Sequence, residues 1–399
     1  MLRFIHASDL HLGNSGPGTL GLSKDWRERI ANAAYQAMDT LIEKAIALEV
    51  DFVLFSGDIL DTKTPTLRSQ LELHRGLTRL SEAGIKVFMA GGNHDPLNIS
   101  RAQSKLPVGV HFFGAEPETI PFIKDGVTLA EITGISYPVA KVTDDLSLKL
   151  KKGSKGFQIA LLHTNVAGYG KKDNYAPSSL DKLIKRGFDY WALGHVHTST
   201  ILNTKPYVVY AGTTQGNQIN EIGPKGAYLV EVDREVKIEF IETSAYYWQI
   251  KKVPAPETLN ELYKALEELD EEAREKPSVI RLIITGRTPL YKELLTGQAE
   301  LEERFREGKN YALESLQLEI LPDIDYEAVK NEESLPGEFL REAEKLLNSE
   351  DLKELEEVLT PLYNRVGDLI EPIDQKALES IVSGSVALGL DLFWRGEKP

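Results

Sequence analysis

The chain has 399 residues and not one cysteine. That absence excludes a disulfide framework and any thiolate metal site, so a metal ion would have to sit on His, Asp, Glu or Asn side chains. It also fits a cytoplasmic protein. No stretch approaches the roughly 18 consecutive apolar residues that cross a bilayer. The start, Met1 to Asp9, has no basic lead and no cleavage site, so neither a membrane partner nor a secretory leader is expected. Positive charge is lacking overall: the net charge is −15. The deficit is local, however. Residues 1–245 hold 27 basic and 27 acidic side chains, whereas residues 246–399 hold 19 and 34. The acidic part is a poor face for nucleic acid and a better one for a partner protein or for water.

What is present is a run of β and α patterns. Residues 2–8 read as a strand ending at Asp9. Residues 25–48 carry Ile30, Ala34, Ala37, Met38, Leu41, Ile42 and Ala45 at helical spacing. A buried-type strand at Val53–Phe55 leads into Ser-Gly-Asp58, a helix follows over about 66–83, and the strand Lys86–Ala90 leads into Gly92-Asn93-His94-Asp95. Two more strands end at His163 and at Gly194-His195. Residues 110–135 and 200–242 go strand after strand and read as the antiparallel parts of a sandwich, a second sheet packed on the first. Residues 246–320 read β-α-β-α-β, with one helix over Leu290–Arg306. Pro322 to Pro336 is acidic and turn-rich, a linker pattern, and 337–392 is helical.

Five short motifs stand in order: Asp9-x-His11, Gly57-Asp58, Gly92-Asn-His-Asp95, His163 and Gly194-His195-x-His197. Each falls at the C-terminal end of an expected strand, where open α/β sheets place their sites. In Asp-x-His and His-x-His an extended backbone would point both side chains the same way. Singly, each motif is as good as a structural turn. Together they hold five of the eight histidines. Imidazole, carboxylate and amide donors suit Mn²⁺, Fe or Zn²⁺. The expected arrangement gives one ion Asp9, His11, Asp58 and His197. A second takes Asp58, Asn93, His163 and His195, with Asp58 bridging. Two such ions clamp a phosphate and activate a shared water. His6 is expected in the core or behind the site; His74 and His111 read as structural.

These motifs, with Gly57-Asp58-Ile-Leu-Asp61, resemble the calcineurin-like metallophosphoesterases. The opening Phe4-Ile-His-Ala-Ser-Asp9-Leu-His11-Leu-Gly13 is more specific and resembles the nuclease subunit of SbcCD-type double-strand-break-repair complexes. Leu162-His163-Thr-Asn165, Asn174-Tyr-Ala-Pro177, Asp189-Tyr-Trp-Ala-Leu-Gly-His195 and Gly212-Thr-Thr-Gln215-Gly216 are similar to the YhaO-type branch. The resemblance is good over 1–245, moderate over 246–320 and weak beyond 321.

The resemblance implies an α/β fold with a metallophosphoesterase core of two packed mixed β-sheets flanked by helices. A small α/β capping domain and a C-terminal helical segment follow. It implies three parts: a nuclease domain over 1–245, a capping or DNA-binding domain over 246–321 and a helical, partner-binding region over 337–392. The implied activity is Mn-dependent exonuclease and endonuclease cleavage of DNA double-strand ends, single strands or hairpins, in double-strand-break repair. The implied partners are a second copy of the chain and an SMC-type coiled-coil ATPase subunit. Archaeal and eukaryotic relatives place a histidine three residues after the bridging aspartate, where this chain has Asp61. A carboxylate there would accept a hydrogen bond from His94 and raise its proton affinity, making His94 the general acid. Asp95 is expected to brace the loop.

DNA would approach over Lys149–Lys152, Lys155, Lys171-Lys172 and Lys182–Arg186, unless these are plain solvated faces, and Trp26, Tyr169 and Tyr175, read in loops, would stack on a base or serve packing alone. The stripe on helix 25–48 would pack in the core or in a dimer bundle. Leu347, Leu352, Leu355, Val358, Leu359 and Leu362 would dock the ATPase or pack on the cap. The competing readings are a nucleotide phosphodiesterase or phosphatase using the same metals, and an inactive DNA-end-binding scaffold.

Overall fold

A computed structural model describes residues 1–14, 22–61, 66–98, 105–169, 175–347, 384–386, 389–390 and 392–393. The chain divides into two units. The first comprises Met1–Ile250, Leu269–Arg281 and Arg306–Glu314; the second comprises Lys251–Glu268, Leu282–Phe305 and Ser315–Pro399.

In the first unit, β1 (Leu2–Ala7), β2 (Phe52–Ser56), β3 (Lys86–Ala90) and β4 (Val110–Phe112) run parallel and form most of one sheet. Its other strands come from far along the chain. They are β11 (Gly226–Val232) and β12 (Val236–Glu242), a hairpin that pairs antiparallel with β1. The second sheet has a parallel centre of β6 (Val127–Gly134), β7 (Phe157–His163), β8 (Tyr190–Gly194) and β10 (Tyr207–Tyr210). Its antiparallel edges are β5 (Glu118–Lys124) and β9 (Thr200–Thr204). The expected division, with the strand-rich stretches forming the second sheet, is therefore too simple. Residues 110–112 and 226–242 complete the first sheet, while β7 and β8 sit in the middle of the second. Hydrophobic periodicity marks a strand but does not encode its neighbour.

The layering follows from alternation. Phe4, Phe52, Leu54 and Phe88 point between the sheets, where they meet Ile132, Ile159, Leu161, Tyr190 and Val209. Ile5, Val53, Phe55, Val87 and Met89 point outward, under helices α1 (Lys24–Ala47) and α2 (Leu67–Glu82). On the far face Leu162, Trp191, Leu193 and Tyr210 are covered by Leu146, Leu150 and Leu183, the last on α3 (Leu180–Lys185). Both faces of each parallel centre are thus dry, which accounts for the near-continuous apolar strands. Ser23 caps α1 by accepting from the Trp26 amide at 3.2 Å, and Thr66 caps α2 through the Ser69 amide at 3.1 Å. Gly76 lets the helices approach closely, since a Cβ there would lie 2.7 Å from Ile42 Cδ1. The stripe on α1 packs inside its own unit. Trp26 lies within this helix rather than in a loop, buried with Ile30, Tyr246 and Trp248, so it is no stacking platform.

Strands β13 (Tyr247–Pro254), β14 (Ser278–Thr288) and β15 (Tyr311–Pro322) form a three-stranded sheet in that order. Helix α4 (Leu259–Glu272) falls where expected, but the single helix expected over 290–306 is two, α5 (Tyr291–Thr296) and α6 (Gln298–Arg304), broken at Gly297. The supposed linker contains α7 (Tyr326–Lys330), whose start Asp325 caps by accepting from the Ala328 amide at 3.0 Å, and α8 (Leu335–Leu347) follows directly. Leu352, Leu355, Val358, Leu359 and Leu362 lie outside the described residues, and so do Lys171, Lys172 and Asn174.

Candidate metal centre

The ends of five parallel strands supply the site. β1 runs into Asp9 and His11, β2 into Asp58 and β3 into the 91–95 turn; β7 ends on His163, and β8 leads to His195 and His197. The backbone is strained at the candidate ligand positions. Asp9, His11, Asp58 and His195 all have positive φ (50°, 46°, 50° and 103°), a conformation non-glycine residues rarely hold without structural compensation. This corrects the spacing argument: Asp9 and His11 are not brought together by an extended strand. Their amides bond instead to the carbonyls of Gly57 and Asp58, both at 3.0 Å. Asp95, buried, holds the opposite wall. Its carboxylate accepts from the amides of Asp58 (3.1 Å), Ile59 (3.0 Å), Leu60 (3.3 Å) and Gly92 (2.7 Å). Gly92 is needed for approach, because a Cβ would fall 2.3 Å from Asp58 Oδ1.

The side chains form three overlapping groups whose ligand atoms lie within 4.8 Å of one another: Asp9–His11–His197, Asp9–Asp58–His163 and His11–Asp58–His94. Asn93 Oδ1 joins them, 3.0 Å from His163 Nε2 and 3.2 Å from His195 Nδ1. All seven expected ligands therefore meet in one place, and His94 shares a group with them.

Tautomers test whether a cation fits. His163 Nδ1 donates to the Ser56 carbonyl at 2.9 Å, so its neutral ring turns the Nε2 lone pair towards Asn93 Oδ1 and Asp58 Oδ2 (3.4 Å). His197 Nδ1 donates to Glu221 Oε1 at 2.7 Å, which turns its Nε2 lone pair towards His11 Nε2, 3.2 Å away. His11 Nδ1 is buried without a hydrogen bond among the described residues. An Nε2 lone pair facing two oxygens requires a proton or a cation between them, and the all-N/O donor set suits a divalent ion. Protons compete for the same atoms. Burial opposes charge on His163, but Asp58 outweighs it and lifts the imidazole to about 9. Burial works against the Asp58 carboxylate too, yet His163, with His11 and His94, holds it well below the usual range.

His94 stands at the rim, 44% exposed, with Nδ1 2.7 Å from Asp61 Oδ1. That hydrogen bond, opposed by partial burial, raises the affinity of His94 for a proton. The cavity in front, about 480 Å³, is lined by Asp58, Asn93, His94, His195 and His197, and also by Tyr169, Tyr175, Gln218 and Glu221. Tyr175 stands 5.6 Å from the His195 ring. Two of the basic side chains proposed to meet DNA have local partners: Lys182 pairs with Asp145 at 2.9 Å, and Arg186 bonds the Leu148 carbonyl at 2.8 Å. His6 is in the core, between Tyr190 OH (3.1 Å) and Ser56 Oγ (3.0 Å). His74 lies on α2, and His111 pairs with Glu118 at 2.9 Å. Sequence reasoning missed Glu221 and the Ser56 carbonyl. Glu221 follows a turn-rich stretch and has no spacing to any histidine; a backbone carbonyl has no sequence signal at all.

Residues 2–199 match the family model described as calcineurin-like phosphoesterase, and residues 254–319 match the middle domain of metallophosphoesterase YhaO. The uncharacterized metallophosphoesterase YhaO of Bacillus subtilis (strain 168) is 32% identical over 391 residues, covering 96% of this chain and 90% of the relative. The chain belongs to the calcineurin-like metallophosphoesterases. This metallophosphoesterase is also similar to the DNA double-strand break repair protein Mre11 of Sulfurisphaera tokodaii. The identity is 26% over 298 residues, covering 72% of this chain and 74% of that one. The SbcD subunit of the SbcCD nuclease of Escherichia coli K12 is 25% identical over 378 residues, covering 83% of this chain and 92% of that one. The metallophosphoesterase has, among its described residues, no helix long and apolar enough to cross a membrane.

Proposed function

We propose that this metallophosphoesterase is a DNA nuclease that hydrolyses phosphodiester bonds with two divalent cations, Mn²⁺ in the cell. The observation that carries the reading is the joining of three His/Asp groups through Asp9, His11 and Asp58 in one open cavity, with the His94–Asp61 pair at its rim. Asp9, His11, Asp58 and His197 would hold one ion and Asp58, Asn93, His163 and His195 the other. Such a pair, when bound, polarises the phosphoryl group and acidifies a water. The chain's own groups do the rest. Asp61 fixes the His94 tautomer with the proton on Nδ1 and favours the doubly protonated ring, so Nε2 presents a proton to the departing oxygen. Asp95 keeps the Asp58 and Asn93 loops in register. Tyr169 and Tyr175 offer aromatic faces to an unpaired base at the cavity wall.

DNA as substrate is supported by the similarity to a double-strand-break-repair protein and to one chain of a nuclease across most of the sequence. A role in repair in the cytoplasm, a homodimer, an SMC-type ATPase partner and the three-part division at 245 and 321 belong to the same proposal. The test compares substrates. Purified protein with Mn²⁺ should release nucleotides from duplex ends or open hairpins, and His94→Ala should slow this while retaining the ions. Hydrolysis of nitrophenyl phosphate esters with no DNA cleavage would replace the nuclease by a small-substrate phosphoesterase. Salt-dependent DNA binding without turnover would leave only a scaffold.

A further inference from the structure

Glu221 is the carboxylate that no motif predicted, and it is built into the site. Only 5% of it is exposed. Its Oε1 accepts from His197 Nδ1 at 2.7 Å and from Gln218 Nε2 at 3.0 Å, and its Oε2 accepts from the Asn217 amide at 2.7 Å. Three donors from three directions leave the carboxylate one orientation. The loop carrying it is itself anchored: Trp248 Nε1 donates to the Gly216 carbonyl at 3.0 Å, and the Gly223 amide donates to the Trp248 carbonyl at 2.9 Å. Trp248 is buried against Trp26, Ile30, Tyr246, Val279 and Ala312. Gly216 is required where it is, since a Cβ would stand 2.8 Å from the Glu221 carbonyl and 3.0 Å from the Trp248 ring.

A histidine can turn about χ2 and can carry its neutral proton on either nitrogen. Fixing Nδ1–H against a rigid carboxylate removes both freedoms and delivers the Nε2 lone pair to one point, beside His11 Nε2 and 3.9 Å from Asp9 Oδ1. On the other side of the site His163 is fixed by a backbone carbonyl, which no side-chain substitution can remove. We infer that Glu221 is a positioning residue for the Asp9–His11–Asp58–His197 ion and does not serve the second ion. The inference rests on the two-metal reading above and adds that the two ions are held with separable affinities.

The experiment titrates metal-stripped protein with Mn²⁺, following stoichiometry by calorimetry and ion pairing by electron paramagnetic resonance. Wild type should bind two ions and show an exchange-coupled pair. Glu221→Ala should weaken one ion about 10- to 100-fold and leave the other, so that an isolated Mn²⁺ signal replaces the coupled one at intermediate loading. Glu221→Gln, whose carbonyl still accepts from Nδ1–H, should recover most of the coupled signal. It also serves as the folding control, because it keeps the side-chain volume and the acceptor for Gln218 and gives up only the Asn217 amide bond. Two ions bound to Glu221→Ala with wild-type affinity and a coupled signal would overturn the role of Glu221 while leaving the two-metal reading intact. Wild type that binds fewer than two ions would overturn both.

Discussion

Asp95→Asn is the sharpest test of how the site is held together. The native carboxylate, 1% exposed, receives four backbone amides. They divide evenly: Asp58 N and Gly92 N point at Oδ1, Ile59 N and Leu60 N at Oδ2. An asparagine of the same shape keeps one oxygen and sets an NH₂ group against the other pair of N–H donors. Whichever way the amide lies, two charge-assisted bonds are lost in a dry environment and donors are left facing a donor. At roughly 1.5–3 kcal/mol for each bond to a charged group, the loss is about 3–6 kcal/mol. This is among the larger effects a single substitution has. Urea unfolding of wild type and variant, each stripped of metal, measures it directly. A destabilisation below about 1 kcal/mol would refute the claim that this carboxylate organises the Asp58 and Asn93 loops. Asp95→Ala, which removes the carboxylate and with it these four amide contacts, should be at least as harmful.

Three further outcomes follow from the same geometry. Burial lowers His6 from 6.5 to about 3, so on acidification the unfolded chain takes up this proton first. Stability should therefore fall as pH drops below 6.5, and His6→Asn should lose about 2 kcal/mol less than wild type between pH 7 and pH 5 in urea titrations; equal losses would remove the assignment. Asp61 raises His94, which must be protonated to serve as acid, so activity should decline as pH rises through its pKa. Asp61→Asn should move that decline to lower pH in a pH–rate profile, and an unmoved alkaline limb would count against the pair. Gly92→Ala, with its Cβ driven into Asp58 Oδ1, should abolish tight Mn²⁺ binding in calorimetry while the protein stays folded by circular dichroism; wild-type binding would show the loop is looser than described.

Much of the candidate site was legible because its side chains come in short motifs at strand ends. A strand end is written locally, in a run such as Val53–Phe55 followed by Ser-Gly-Asp58. The way the motifs are used was less legible. Asp9 and His11 share a face through left-handed backbone, a conformation that two-residue spacing cannot distinguish from an extended one. Glu221 reaches His197 through a loop fixed by Trp248, so its role depends on tertiary packing. Sheet membership failed for the same reason: β11 and β12 read as strands, but nothing local states that the hairpin pairs with β1, far earlier in the chain. Trp26 illustrates a further limit. It is expected in a loop beside the site, whereas the Ser23 cap starts a helix there and buries the ring. The break at Gly297 and the cap at Asp325 are written in the sequence, but each competes with a helical or acidic pattern that outweighs one residue.

The central claim is metal-dependent cleavage of DNA at the Asp58 centre. End-labelled duplex DNA should be incubated with wild type and Asp58→Ala in Mn²⁺, in Mg²⁺ and in EDTA. The account predicts nucleotide release by wild type in Mn²⁺, none in EDTA, and none by Asp58→Ala under any condition. Release that persists in EDTA or in Asp58→Ala would place the activity elsewhere and contradict it.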